Sequence, residues 1–281
     1  MNFSRFCFFI ITVLIFSGTA SAEAPAKGPA QNNGKDLFAP LIADPRWPHF
    51  SLAYQYYTHG GGLKNVAAVS FGETLPFYND DTPSGGRWQA GIQAAVFAVF
   101  DLDTPSWDLL NEDYIVALPV AYKKEPFSGL IRVYHQSSHI GDELLLRSRI
   151  DRVNFSYQAA DLKLSYDLEK WFRFYGGGEY AFSRTPRDLK PWATQYGFEI
   201  KCPWKYWSKA VVPVAGADFK NREENDWHSE ISLSAGVWIE SPKTMWHKVH
   251  LMVGYYNGNS PNGQFRDELI EFLSLGAHFY F

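Results

Sequence analysis

The sequence predicts an all-β fold, a transmembrane antiparallel β-barrel of about twelve strands. Three observations predict it: an export signal at the N-terminus, apolar residues recurring with a period of two, and a last strand ending on the aromatic Phe281. Aromatic residues make up 17% of the chain, yet its mean hydropathy is −0.25. That balance suits a sheet in which only alternate residues meet lipid. A helical membrane protein would need apolar runs of roughly 18 residues or more, and none follows Ala22.

Residues 1–22 read as a signal peptide. Arg5 supplies the positive charge, Phe6 to Phe16 the apolar stretch, and Ala20-Ser21-Ala22 the small-residue cleavage site. The apolar run is well short of the ~20 residues that span a bilayer, so cleavage rather than anchoring is expected. Cys7 leaves with the signal, and Cys202 alone provides no disulfide framework. The 26 Lys and Arg residues include Arg5, so 25 face 30 acidic residues in the mature chain, a charge of −5. With no basic stripe, no nucleic-acid partner is expected. Residues 23–46 are expected as a periplasmic N-terminal segment. Residues 23–37, where Ala, Pro, Lys, Gly and Asn dominate, are expected to be disordered, and the first ordered stretch is expected at Leu37 to Trp47. The barrel takes residues 47–281.

Strands are expected at about 48–58, 64–74, 87–101, 112–123, 127–138, 150–167, 171–183, 192–202, 207–219, 227–240, 245–257 and 270–281. Alternation is clear in Trp192, Tyr196, Phe198 and Ile200 against Gln195, Gly197, Glu199 and Lys201. It recurs in Ile231, Leu233, Ala235, Val237 and Ile239 against Glu230, Ser232, Ser234 and Gly236. Connections alternate between tight turns (123–126, 167–170, 203–205, 241–244) and longer polar loops (102–111, 139–149, 184–191, 220–226, 258–267), as in barrels with short periplasmic turns. The stretch from Glu73 to Gly86 breaks that rule, being long on the short side. The final strand sets Leu273, Leu275, Ala277, Phe279 and Phe281 against Ser274, Gly276, His278 and Tyr280. Its terminal Phe resembles the signal read by the bacterial barrel-assembly machinery. A soluble β-sandwich also alternates, but explains neither the terminal signature nor the one-sided loops.

The most unusual polar segment is Arg132-Val133-Tyr134-His135-Gln136-Ser137-Ser138-His139-Ile140-Gly141-Asp142-Glu143. Parity puts His135 and Ser137 with Ile131 and Val133 on the lipid-facing side, near the outer rim. Residues two apart on a strand are separated by about 6.6 Å. At that spacing an imidazole can activate a serine hydroxyl as a nucleophile, and an exterior serine would meet acyl chains. The catalytic candidates are therefore Ser137 and His135, with Asp151 or Asn154 as a third member. A bulge near Ala159-Ala160 would put Asp151 outside and Asn154 inside; without one, and with the Leu162 face outward, Asn154 joins the exterior. His and Ser are also ordinary at the interfacial rim of a barrel. A metal reading through His135 and His139 needs the chain to turn, because four strand residues span about 13 Å. Ser138, His139, Asp142 and Glu143 could instead cap the loop or hold a hard cation, with Asp142 and Glu143 as the metal candidates.

Tyr134-His135-Gln136-Ser137 resembles the active-site strand of outer-membrane phospholipase A. That family is a twelve-stranded barrel with an exterior His-x-Ser pair and an Asn as third member. The resemblance implies a calcium-dependent, dimerisation-activated hydrolase, with Ca2+ as cofactor, a homodimer as active state, and outer-membrane lipids or lipopolysaccharide as partners. The sequence departs from the pattern at three places. Arg149 stands where the family has its Asn, Ser138 follows the serine in place of Asn, and His139 then replaces Gly.

Asp101, Asp103, Asp108, Glu112 and Asp113 form an acidic loop that could contact a cation or lipopolysaccharide, or simply be solvated around a Thr104-Pro105 turn. Lumenal Arg132, Arg173, Glu179, Glu199, Lys201 and Glu230 mix signs, and are expected to form a charge network filling a narrow barrel. Three further runs, Leu41 to Pro48, Ala98 to Trp107 and Tyr134 to Glu143, resemble an uncharacterised bacterial envelope family, domain-of-unknown-function family 1207. That resemblance implies an exported envelope protein and carries no assigned activity. An enzyme and a non-enzymatic barrel (a small channel or interaction protein) therefore both remain open.

Overall fold

A computed structural model describes residues 36–148, 153–169, 171–203, 211–240 and 248–280. Its strands are β1 (Phe50–His59), β2 (Asn65–Asp81), β3 (Arg87–Asp101), β4 (Leu109–Lys124), β5 (Phe127–Ile140) and β6 (Phe155–Leu168), followed by β7 (Phe172–Thr185), β8 (Trp192–Lys201), β9 (Val211–Arg222), β10 (Ser229–Glu240), β11 (Lys248–Asn259) and β12 (Leu269–Tyr280). Each pairs antiparallel with its sequence neighbours, and β1 pairs with β12 to close the barrel. Closure removes the sheet edges, which is what allows strands to face lipid. The signal peptide lies outside the described residues, as does most of the 203–205 turn and all of 241–244.

Period two sorts the wall as expected. On β4, Tyr114, Val116, Leu118, Val120 and Tyr122 all point outward and are exposed. From Tyr114 to Tyr122 is about 26 Å of strand at ~3.3 Å per residue, the height of the apolar band of such barrels. Leu273 and Leu275 on β12 face out, while Phe272 faces in. Both ends of the closing pair, Phe50 and Phe279, lie at one end of the barrel, here the turn end. The opposite loop end carries residues 60–64, 102–108, 141–148, 153–154, 186–191, 223–228 and 260–268.

One expectation is corrected, and one alternative left open is decided. The stretch from Glu73 to Gly86 is not a long turn, because β2 continues to Asp81 against Arg87 and only residues 82–86 connect it to β3. Leu75 and Phe77 stay outward-facing along that extension, with a register shift between Pro76 and Tyr78 absorbing one residue. Nor does β6 carry a bulge at Ala159-Ala160. Its register with β5 is unbroken from Tyr166 to Phe155. The irregularity lies on β7, which skips Phe182 between Ser183↔Gln158 and Ala181↔Ala159. The apolar residues Phe155, Tyr157 and Ala159 therefore face inward, where they pack with Phe97, Ile115, Tyr134, Ala181 and Leu189 in an apolar cluster on the lumenal side.

Residues 36–48, including the second part of the segment expected in the periplasm, fold into the lumen as a plug. Near the turn end Phe38 and Trp47 stack at 5.9 Å and pack with Leu41, Ala121, Leu130 and Tyr175. The chain then climbs: the Ile42 amide donates to Glu199 Oε1 at 2.6 Å, and Gln195 Nε2 donates to Asp44 Oδ2 at 3.0 Å. Arg46 reaches Asp113 at 2.7 Å, with the Asp113 side chain fully buried. Asp44 turns the chain back by accepting the Arg46 amide at 2.9 Å. Around the plug, the expected charge network is in place. Arg132 Nε donates to Asp161 at 3.1 Å, and Lys163 pairs with the same carboxylate. Arg173 meets Glu199 at 3.3 Å and Arg222 meets Glu230 at 3.1 Å. Such layers suit a filled barrel, because these buried charges meet counter-ions on the same or the adjacent strand.

Candidate functional site

The outward face at the loop end of β4, β5 and β6 changes character abruptly. Toward the turn end it is apolar, with Leu118 on β4, Ile131 and Val133 on β5, and Leu162 and Leu164 on β6 all exposed. One step higher come His135 and Gln158, then Ser137 and Ser156, which are direct cross-strand partners. Tyr114, opposite Ser137 on β4, is stacked edge-on by His139 at 5.7 Å, and its hydroxyl donates to Glu112 at 2.8 Å. His135, Ser137 and His139 are each half-buried. The patch thus sits where an apolar band meets polar surface.

His135 and Ser137 lie on the outward face, as parity predicts. Ser138 points the other way, its buried hydroxyl donating to Asn111 Oδ1 at 3.0 Å. Asp151 lies outside the described residues. Asn154 is exposed just before β6, and the register Ser138↔Phe155 gives it the same parity as Ser156 and Gln158, the outward face. The residue that meets the histidine is another one. Gln158 Nε2 lies 2.9 Å from His135 Nδ1. As drawn, the amide donates to the ring; a half-turn of the carboxamide puts Oε1 there instead and makes Nδ1–H the donor, without changing the side chain's shape. Nothing in β5 alone points to Gln158, because its place beside His135 comes from the β5–β6 register.

Asp142 and Glu143 open a short helix, α1 (Asp142–Ser148), and are exposed in its first turn. Carboxylates there complement the partial positive charge of the helix start. Among the described residues no three or more His, Cys, Asp or Glu side chains converge on a metal position.

The acidic loop is tied to structural partners. Arg147, at the end of α1, binds Asp108 at 2.8 Å and Asp101 at 3.4 Å, while Asp113 holds the plug through Arg46. Asp103 accepts from the Asn65 side chain at 2.6 Å and from its backbone amide at 3.0 Å. Those hydrogen bonds hold the Asp103 carboxyl below the ordinary carboxylate range.

A closed twelve-stranded sheet with an apolar outer belt and a plugged lumen defines a β-barrel of the outer-membrane type. The chain belongs to a family described as a protein of unknown function, DUF1207, whose profile matches residues 21–281. Among curated proteins, none matches by sequence. Solved structures of similar fold include outer membrane phospholipase A from Escherichia coli, with 12% identity, 86% of this chain and 93% of that one covered, and a TM-score of 0.54. A calcium-bound dimer of the Salmonella typhi outer membrane phospholipase is similar at 12% identity, 84% and 93% coverage and a TM-score of 0.56. At that identity the likeness is one of fold.

Proposed function

We propose that this protein is an outer-membrane lipid hydrolase that cleaves acyl esters of phospholipid or lipopolysaccharide. Ser137 is the nucleophile, His135 the general base, and Gln158 the residue that positions the imidazole. The carrying observation is the 2.9 Å contact of Gln158 with His135 Nδ1, on the same outward face as Ser137. An acceptor at Nδ1 fixes the ring with its proton there, leaving Nε2 as the basic atom. Ser137 Oγ would then attack the ester carbonyl as His135 takes its proton. The imidazolium would return that proton to the departing alcohol, and water would release the acyl group from the serine by the same route.

The position of the patch supports this reading. Ester groups of a lipid lie where acyl chains meet headgroups, and His135 sits directly above the apolar residues Val133 and Ile131. In this orientation the turn end, where plug and β12 both start or finish, is periplasmic, and the loop end is outside. The similar structures are named as phospholipases, one of them a dimer with bound calcium. Asn154 is a second positioning candidate through its shared parity, and Asp151 stays a candidate on its place in the sequence. Calcium enters as an assay condition only.

The test is turnover of phospholipid and lipopolysaccharide in mixed micelles by refolded protein, with calcium and with a chelator, alongside cross-linking to register dimers. Ser137→Ala and His135→Ala should each lower turnover by about 100-fold or more. Gln158→Leu should lower it about tenfold and alter the pH profile, with Gln158→Asn partly restoring it. Equal residual turnover in wild type and all variants would remove the hydrolase and leave a filled envelope barrel whose outer loops are its working surface.

A further inference from the structure

Above the plug, the loop-end half of the lumen encloses a cavity of about 100 Å³. It opens between three loops, at Lys190, Asn225 and Pro261. Its floor is the Asp44–Arg46 tip of the plug together with the Arg132–Asp161–Lys163 cluster.

The charges facing this space are mostly positive: eight Lys and Arg side chains line it, against Asp44, Glu179 and Glu224. Several have carboxylate partners set behind them in the wall, as Arg46 has Asp113 and Arg222 has Glu230. Arg184 differs. Its Nη1 donates to the Ala181 carbonyl at 2.5 Å, and its Nε is buried without an acceptor among the described residues. Arg266 pairs with the exposed Asp267 at 3.3 Å and lies over the Phe155 ring at 5.0 Å, while its Nε is buried and unsatisfied. Arg46, at the plug tip, is already engaged, its Nη2 lying 2.7 Å from the Asp113 carboxylate. Unmet buried donors on charged groups are costly, and Arg184 and Arg266, which both line the cavity, each carry one. Water can supply acceptors, but only an anion supplies acceptors and charge together. The aromatic walls, Tyr134 and Tyr157 packed edge-to-face at 5.8 Å, suit the ring of a sugar.

We infer that this vestibule is a binding pocket for a small oxyanion, a phosphate or carboxylate group, either free or as the charged group of a saccharide, received by Arg184 and Arg266 from the loop end. It is separate from the outward-facing Ser137 patch, so neither site's failure decides the other's.

The test is calorimetric titration of refolded full-length protein in detergent at constant ionic strength. The probes are inorganic phosphate, glucose 1-phosphate, galacturonate and neutral glucose. Saturable binding of one or more anions, with none of glucose, is the expected result. Tighter binding of glucose 1-phosphate or galacturonate than of phosphate would assign a saccharide, and the reverse a free anion. Arg184→Gln combined with Arg266→Gln should weaken binding at least tenfold while the barrel keeps its heat-modifiable gel mobility. Ser137→Ala, on the outer face, should bind as the wild type does. Should the double variant misfold, the single Arg184→Lys protein, which keeps the charge and loses the guanidinium fork, should still bind several-fold more weakly. Absence of saturable binding by every anion, or equal binding in wild type and folded Arg variants, would overturn the inference.

Discussion

Ser137 and Ser138 are adjacent, and the strand pleat gives them opposite tasks. Ser138 faces inward, and its hydroxyl donates to Asn111 in a buried site. Ser138→Ala should therefore cost about 1 kcal/mol of stability, the worth of a buried neutral hydrogen bond, and leave lipid turnover intact. Ser137→Ala should do the reverse, and urea unfolding run beside the turnover assay separates the two outcomes. If Ser138→Ala removed turnover and Ser137→Ala did not, the outward assignment of the site would be wrong. This distinction was legible in the sequence, because Ile131 and Val133 label the outward parity of β5 without any knowledge of its neighbours. Gln158 was not legible. It lies 23 residues from His135, and which residue of β6 stands opposite is decided by strand register, a property that periodicity within one strand does not contain.

Elements show the same division. All twelve strands follow from alternation, whereas their ends and bulges do not, since Glu73 to Asp81 still pairs with β3 despite its polar and Pro residues. The inward orientation of Phe155 and Tyr157 was one of two readings that the apolar residues on both parities of β6 left open, and the unbroken register with β5 decides it. Glycine placement on β8 gives an element-level prediction. Gly197 faces inward opposite Tyr175 and Asp218, and a Cβ there would overlap both the Ala217 carbonyl oxygen and the Tyr175 phenol. Its absence lets the Tyr175 hydroxyl cross the strand to donate to Asp218 at 2.6 Å. Gly197→Ala should displace that ring and lower stability by about 1–3 kcal/mol, as overpacking does. Adding Tyr175→Phe to Gly197→Ala should then cost less than Tyr175→Phe alone, because the hydrogen bond it removes is already broken. A fully additive pair of effects would count against the account.

At the scale of the whole molecule, the plug decides whether the barrel is a pore. Its sequence, Leu37 to Trp47, signals order but not destination: no period marks it, and its apolar Phe38, Leu41 and Trp47 are interspersed with Asp44 and Arg46. Only a lumen that supplies both an apolar floor and ionic partners satisfies that mixture. Phe38, Leu41 and Trp47 are almost fully buried there, while Arg46 and Ile42 tether the segment to β4 and β8. Intact protein in a planar bilayer should thus be electrically silent or nearly so. Removing residues 36–48 takes away the floor of the vestibule and joins it to the second cavity, of about 110 Å³, on the plug's other side. The truncated barrel should conduct, and because Asp113 and Glu199 lose partners while Arg173 loses the Ala39 carbonyl, its openings should be noisy and its thermal stability reduced. A milder variant distinguishes plugging from collapse. Arg46→Gln keeps the segment but leaves the buried Asp113 unpaired, so it should raise the frequency of brief openings without changing the fully open conductance of the truncated form. Were both variants as silent as the intact chain, the lumen would be closed by its own charge layers, and the plug would serve stability alone.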